Sequence, residues 1–243
     1  MKRLIGFALL MFPLAALPQE SSQLVIASSL VEGQSFSLSI QILVLMTLLT
    51  LLPAALLSTS AFVRIIIVLS ILRQALGTAQ TPPNQVLLGI ALFLTFFVMA
   101  PVVETMYEDA AQPYASGEMD MSTALNTAVL PLREFMINQT RESDLELFAN
   151  IARQPDIASV ADAPMSMIIP SFMVSELKTA FQIGFLVFIP FLVIDLVVSS
   201  VLMSMGMMML SPMLVSLPFK IMLFVLVDGW ALILGTLAGS FYA

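Results

Sequence analysis

The chain has no cysteine and no histidine, and only 10% of its 243 residues are charged. Without Cys there is no disulfide, thiolate nucleophile or thiolate-bound metal, and without His there is no imidazole base and no histidine ligand for zinc or haem. Carboxylate-bound hard cations and Ser–Lys chemistry are the remaining routes to a catalyst. Basic residues are scarce too. Nine Lys and Arg stand against sixteen Asp and Glu, and the net charge of −7 argues against nucleic acid as a partner. No G-x-x-x-x-G-K-[ST] phosphate loop is present, so energy for any transport comes from elsewhere. The expectation is a non-enzyme with no cofactor and no metal.

What is present is apolar: 59% of residues, with a mean hydropathy of +1.02. A globular domain has roughly half apolar and a quarter charged residues, so the chain is expected to be an integral membrane protein.

Residues 1–19 carry Lys2 and Arg3, an uncharged run from Leu4 to Leu17, and Pro13 and Pro18; they read as a cleaved secretory signal peptide, although no clean A-x-A site stands out. Residues 20–39 follow as a periplasmic segment. From Ile40 to Leu76 the only charges are Arg64 and Arg73. One helix of that length would reach about 55 Å, well beyond a ~30 Å hydrocarbon core, so a break is expected at Pro53 and Ser58-Thr59-Ser60. The spacing predicts a span over 40–58, a helix ending at Gly77, a turn at Thr81-Pro82-Pro83-Asn84 and a span over 85–103, so that 40–103 forms a first hydrophobic hairpin. Residues 104–163 are the water-facing section, with eleven acidic residues against three arginines between Glu104 and Asp162. Helices are expected there over 122–139, with Leu132, Phe135 and Met136 on one side, and after the capping-box spacing Ser143-x-x-Glu146. Residues 164–243 form a second hairpin: an amphipathic lead-in with a stripe of Met173, Leu177, Ala180, Phe181 and Gly184, then spans over 185–202 and 214–237. Pro53, Pro101, Pro190 and Pro218 fall one in each span, predicting kinked or interrupted helices that protein must cover. By the positive-inside rule the 64–84 connection, with Arg64 and Arg73 and no acid, lies on the cytoplasmic side and the acidic section outside.

Three features could carry function. Glu176, Lys178, Asp195, Lys220 and Asp228 are charges in apolar or transitional helices, where a lone ion costs roughly 2.5–3.5 kcal/mol at mid-membrane. Folding the last two spans into a hairpin centred near residue 208 brings Asp195 and Lys220 to one depth, while Glu176 lies too far along to meet Lys220 in a straight hairpin. Structural pairing, within the chain or between subunits, and proton relay both remain open. Six of the eighteen methionines lie between Met203 and Met213, including Met207-Met208-Met209. Pliable thioethers there are either a deformable seal or ordinary filling of a hairpin tip. Ala231, Gly235, Gly239 and Ala243 recur every fourth residue, a small-residue ladder suited to close helix packing within or between chains.

Two stretches, RIIIVLSILRQALGTAQTPPNQVLLGIALFLTFFVM from Arg64 and PSFMVSELKTAFQIGFLVFIPFLVIDLVVSSVLMSMGMMMLSP from Pro170, together with REFM and TRESDLELFA between them, closely resemble the FliP family of flagellar type III secretion export-gate proteins. The resemblance implies an all-α protein of about four hydrophobic helices in two bent hairpins plus a small helical extramembrane section, assembling as an oligomeric ring. It implies FliQ-like and FliR-like partners, unfolded exported flagellar proteins as cargo, and a place in the bacterial inner membrane at the flagellar basal body. It also places the methionine loop, Met207 to Met209, at the constriction of a conduit. Injectisome relatives share the SELK motif and the proline turn and are the alternative; a small-solute transporter is a more distant one.

Overall fold

A computed structural model describes residues 38–78, 80–153, 163–207 and 209–242. The expected signal peptide, most of the 20–39 segment, Met208 and Ala243 lie outside the described residues. Every regular element among the described residues is helical. Three helices are long and apolar enough to cross a membrane, and a bent pair could make a fourth span.

Packing divides the chain after Pro53. The described part of the first unit is the beginning of α1 (Leu38–Ser58), whose side chains from Ile42 to Leu52 are exposed. Pro53 lies inside α1, and the helix ends at Ser58, as expected for the 40–58 span. The break comes after Ser58, where the hydroxyls of Ser58 and Thr59 each donate to Ala55 O at 2.9 Å and that of Ser60 to Leu57 O at 3.2 Å. These hydroxyls give the last-turn carbonyls partners that a further helical turn would otherwise supply.

The second unit is organised around α2 (Phe62–Ala75). Arg64, Ile65, Val68, Leu69, Leu72 and Ala75 are buried at helical spacing on one face. That face lies chiefly against α7 (Met165–Ser204) and also touches α3 (Asn84–Met106). Gly77 follows α2 at φ +78°, as a residue at C′ should, and its N–H reaches Gln74 O at 3.0 Å. Arg73 pins the next turn, its Nη1 donating to Pro82 O at 3.3 Å and Asn84 Oδ1 at 2.5 Å.

Past the expected end at Val103, α3 continues through Pro101 to Met106, then a π-helical turn (Tyr107–Ala111) and α4 (Gln112–Ser116). This rod of 33 residues is about 50 Å long and carries the chain beyond one hydrocarbon thickness into the acidic section. Asp120 starts α5 (Met121–Gln139), accepting from Ser122 N at 3.1 Å and Thr123 N at 3.3 Å. Hydrogen bonds from the Ser122 and Thr123 hydroxyls, and from the Thr123 amide, hold its carboxyl well below the usual range. α6 (Glu142–Ile151) starts one residue before Ser143, with Arg141 at its N-cap, so Ser143 lies in the first turn and no capping box forms. The Arg141 N–H is instead bonded to Ser175 Oγ on α7, at 3.0 Å.

Where a lead-in and a separate span were expected, α7 is one 40-residue helix, about 60 Å long, running through Pro170 and Pro190. Its buried positions are Met167, Ile168, Ser171, Phe172, Ser175, Glu176, Ala180 and Gly184, then only Phe191 and Leu202. Ala180 and Gly184 belong to the predicted stripe, but Met173 and Leu177 are half-buried and Phe181 is exposed. The face turns toward Glu176 because a buried cation waits for that carboxylate. Gly184 is required by close approach: a Cβ there would stand 2.4 Å from Ile71 Cδ1. The last pair, α8 (Pro212–Leu226) and α9 (Gly229–Gly239), bends by 64°. The bend follows Val227, where Asp228 takes φ +50°, rather than Pro218.

Candidate functional site

The most completely bonded group in the second unit is Arg64, which the positive-inside count treats as a loop charge. It is 2% exposed and inside α2. Its Nε donates to Glu176 Oε2 at 2.9 Å, and its Nη2 reaches Glu176 Oε1 to complete a two-armed ion pair. Nη2 also donates to Gln139 Oε1 at 2.8 Å, and Nη1 to Ser240 O and Ser240 Oγ, each at 3.0 Å. The guanidinium lies 3.9 Å over the Phe241 ring, which stacks on Phe135; Gln139 Nε2 donates to Phe241 O at 3.1 Å. One side chain thus joins α2, α5, α7 and the turn after α9. The planar fork of arginine suits this arrangement as the point charge of lysine would not. Sequence reasoning could have found this arrangement by asking which carboxylate must accompany an arginine set in FVRIIIVLS.

A second cluster joins the far end of α2 to α7 and α8. Lys220 Nζ donates to Asp195 Oδ2 at 2.6 Å and to Ala75 O at 3.0 Å, and Ser216 Oγ donates to Asp195 Oδ1 at 2.6 Å. Lys220 is buried whereas Asp195 is 30% exposed. The lysine sits at the carboxyl end of α2, where a cation meets the unpaired carbonyls and the negative end of the helix dipole. Asp195 is thus the partner within this chain, and Glu176 is taken by Arg64.

Lys178 is half exposed rather than buried. It pairs with Asp144 of α6, whose carboxyl is fully buried and also accepts from Ser175 Oγ at 2.7 Å. Burial opposes ionisation of Asp144, but the Lys178 and Ser175 hydrogen bonds and the Lys178 and Arg141 charges outweigh it and hold the carboxyl below its usual range. Asp228, expected inside a span, is exposed at the α8/α9 bend with no side-chain partner among the described residues. No group of three or more Asp and Glu able to hold a metal ion occurs among the described residues.

The methionine turn joins α7 to α8. Gly206 takes φ +72°, Met207 N donates to Leu202 O at 3.0 Å, and Met209 is 100% exposed. Met203, Met205, Met207 and Met213 are also exposed. Behind the turn, α7 and α8 enclose a wholly apolar groove of about 480 Å³, lined by Val197, Val201, Val215 and Phe219 among others. On α9, Ala231, Gly235 and Gly239 share an exposed face, and a Cβ at either glycine would meet nothing within 4 Å. The ladder is therefore unused within the described chain.

The FliP family profile matches residues 45–237, most of the chain. The chain belongs to the FliP family. It is 61% identical over 211 residues to the flagellar biosynthetic protein FliP of Pectobacterium carotovorum, covering 87% of this chain and 82% of that one. It is 58% identical to the protein of that name from Cereibacter sphaeroides, covering 86% and 70%, and 50% identical to that of Bacillus subtilis, covering 86% and 95%. The FliP match contains all three acid–base pairs and the methionine turn, and ends before Ser240.

Proposed function

We propose that this chain is a subunit of the flagellar type III export gate in the bacterial inner membrane, assembling as a ring with FliQ-like and FliR-like partners to conduct unfolded flagellar proteins. The observation that carries the reading is the methionine turn. A soluble domain hides such side chains, yet here Met209 is fully exposed and Met203, Met205, Met207 and Met213 also face outward. Methionines from several copies meeting at one level would form a soft, apolar plug that yields to polypeptides of differing sequence. The ordered parts of the site support this division of labour. Arg64–Glu176 and Lys220–Asp195 fix the helices that hold the turn, while the turn itself carries no charge.

The chain supplies no catalytic step in this proposal. The open face of Ala231, Gly235 and Gly239 and the apolar groove behind the turn are available to neighbouring chains. The test is site-specific crosslinking from Met207 and Met209 to an export substrate stalled in transit in whole cells. Strong crosslinks at the turn and none at the exposed Met121 of α5 are expected. Absence of substrate contact at both methionines would leave the chain a scaffold. Replacing Met207, Met208 and Met209 by Ala should raise small-ion leakage through purified complexes with assembly intact.

A further inference from the structure

The acidic section carries an apolar groove of about 440 Å³. The end of α3, the π-helical turn and α4 form one wall, and the start of α5 forms the other. Its floor is small, with Ala110 and Ala124 both buried, and its sides are large: Tyr107, Tyr114, Met121 and Leu125 are each at least 40% exposed. Small residues beneath and long ones beside leave a trough that a helix can enter. The α5 wall runs from Met121 to Ala128, about 10 Å of rise, or two helical turns. The other wall contains the turn Tyr107–Ala111, and π-helical irregularities of this kind are frequent at functional sites.

The charges on the segment that builds this groove have one sign. From Glu104 to Leu132 the chain has Glu104, Glu108, Asp109, Glu118 and Asp120, and no Lys or Arg. All five are exposed, and none is in an ion pair among the described residues. Asp120 caps α5, but its hydrogen bonds come from neutral amides and hydroxyls and leave its charge unmatched. Exposed carboxylates keep this section out of hydrocarbon, while so many large apolar side chains around one trough are costly to leave in water. A protein surface meets both conditions if it brings an apolar stripe and cations together. A second copy of this chain does not. Its exposed cations among the described residues are Arg153 and Lys178, and Lys178 is already paired with Asp144. The exposed Leu147 and Ile151 of α6 are flanked by Glu142 and Glu146, which would add like charge.

We propose that this groove docks an amphipathic helix of a different protein. The partner's apolar side chains, spaced i, i+3 or i+4, and i+7, sit over Ala110 and Ala124, and lysines or arginines beside that stripe face the five carboxylates. The apolar stripe supplies the affinity, while the carboxylates orient the partner and reject acidic competitors. This docking goes beyond the conduit, since none of its residues belongs to the methionine turn.

The test replaces Leu125 or Tyr114 of the full chain with a photocrosslinking amino acid in whole cells and sequences the peptide that is captured. Variants are compared at equal amounts of chain in the membrane fraction. Adducts are expected to another protein, through a segment that has the apolar spacing above and at least two Lys or Arg beside it. Ala111→Trp fills the groove from an exposed lining position and should lower the adduct about tenfold. Ala115→Trp, exposed on α4 but outside the groove, should leave it within about twofold, which separates blocked docking from damage to the helix. Glu108→Lys with Asp109→Lys should lower it about fivefold. Adducts to a second copy of this chain overturn the proposal in favour of a self-interface. Adducts to lipid alone, or none at all, overturn it in favour of a surface that no protein covers. A captured segment without cations, or a yield indifferent to Ala111→Trp, overturns the basic helix as the occupant of the groove.

Discussion

The two halves of α7 invert the usual relation between hydropathy and burial. The first, 165–184, carries Ser171, Ser175 and Glu176 on its buried face and packs against α2, α5 and α6. The second, 185–204, is the more apolar, yet only Phe191 and Leu202 are buried. In water the apolar half would be the core. Lipid or a sister chain can accept apolar surface at little cost, but neither accepts a lone charge cheaply, so along α7 the half that carries the paired polar groups is the half that is buried.

Removing one partner from the buried pair is the strongest way to break that contrast. Glu176→Ala leaves the Arg64 guanidinium uncompensated beside Gln139, Ser240 and Phe241, and loss of one member of such a pair costs about 3–5 kcal/mol. The variant is expected to lose its unfolding transition in detergent, or to show it at a much lower temperature. Arg64→Met with Glu176→Leu should recover part of that loss, since two apolar side chains leave no unpaired ion. Equal stability of Glu176→Ala and the unaltered chain would mean that the pair does not organise the core.

A middle-sized effect is expected where the two halves of α7 meet. Gly184 faces Ile71 so closely that an added Cβ would stand 3.2 Å from its Cγ2 and 3.3 Å from its Cβ, as well as 2.4 Å from its Cδ1. Rotating the terminal methyl relieves only the shortest contact, so Gly184→Ala must separate α2 from α7. Overpacking of this kind costs typically about 1–3 kcal/mol. The lone tryptophan, Trp230, stands edge-on to Phe224, which in turn packs near Phe191 of α7, so its fluorescence can follow the transition. An unshifted midpoint would show that the contact yields more easily than its geometry implies.

How much was legible in the sequence follows the same division. Helical class and the presence of three to four long apolar helices come from run length and composition, which lipid thickness imposes directly. The Asp195–Lys220 juxtaposition follows from hairpin reflection, because the two residues lie nearly equal distances along their helices from a single turn. Arg64–Glu176 did not follow, since 112 residues separate its members and no periodicity links them. Pro53, Pro101, Pro190 and Pro218 all lie inside continuous helices, so none of them interrupts one; the breaks fall at the expected hydroxyl cluster and at Asp228, which was expected inside a span. A proline removes one donor, which is a local loss, whereas the hydroxyls of Ser58, Thr59 and Ser60 offer an alternative set of partners to the backbone.

The smallest effect on the chain itself sharpens the comparison most. Gly235 lies in the interior of α9, and a Cβ there meets nothing within 4 Å. Gly235→Ala should therefore leave the midpoint unchanged or raise it slightly, because alanine is favoured over glycine in a helix interior by about 0.5–1 kcal/mol. Gly184 and Gly235 are thus opposites: the first is needed by contacts inside the chain, and the second by none. If the Ala231–Gly235–Gly239 face is where neighbouring copies approach, Gly235→Ala should lower oligomer recovery while sparing the monomer, and the bulkier Gly235→Leu should lower it further. Loss of monomer stability in Gly235→Ala would place a partner for that face within this chain. Undiminished oligomer in both variants would leave the face to lipid, and only the methionine turn and the apolar groove behind it would remain to explain assembly.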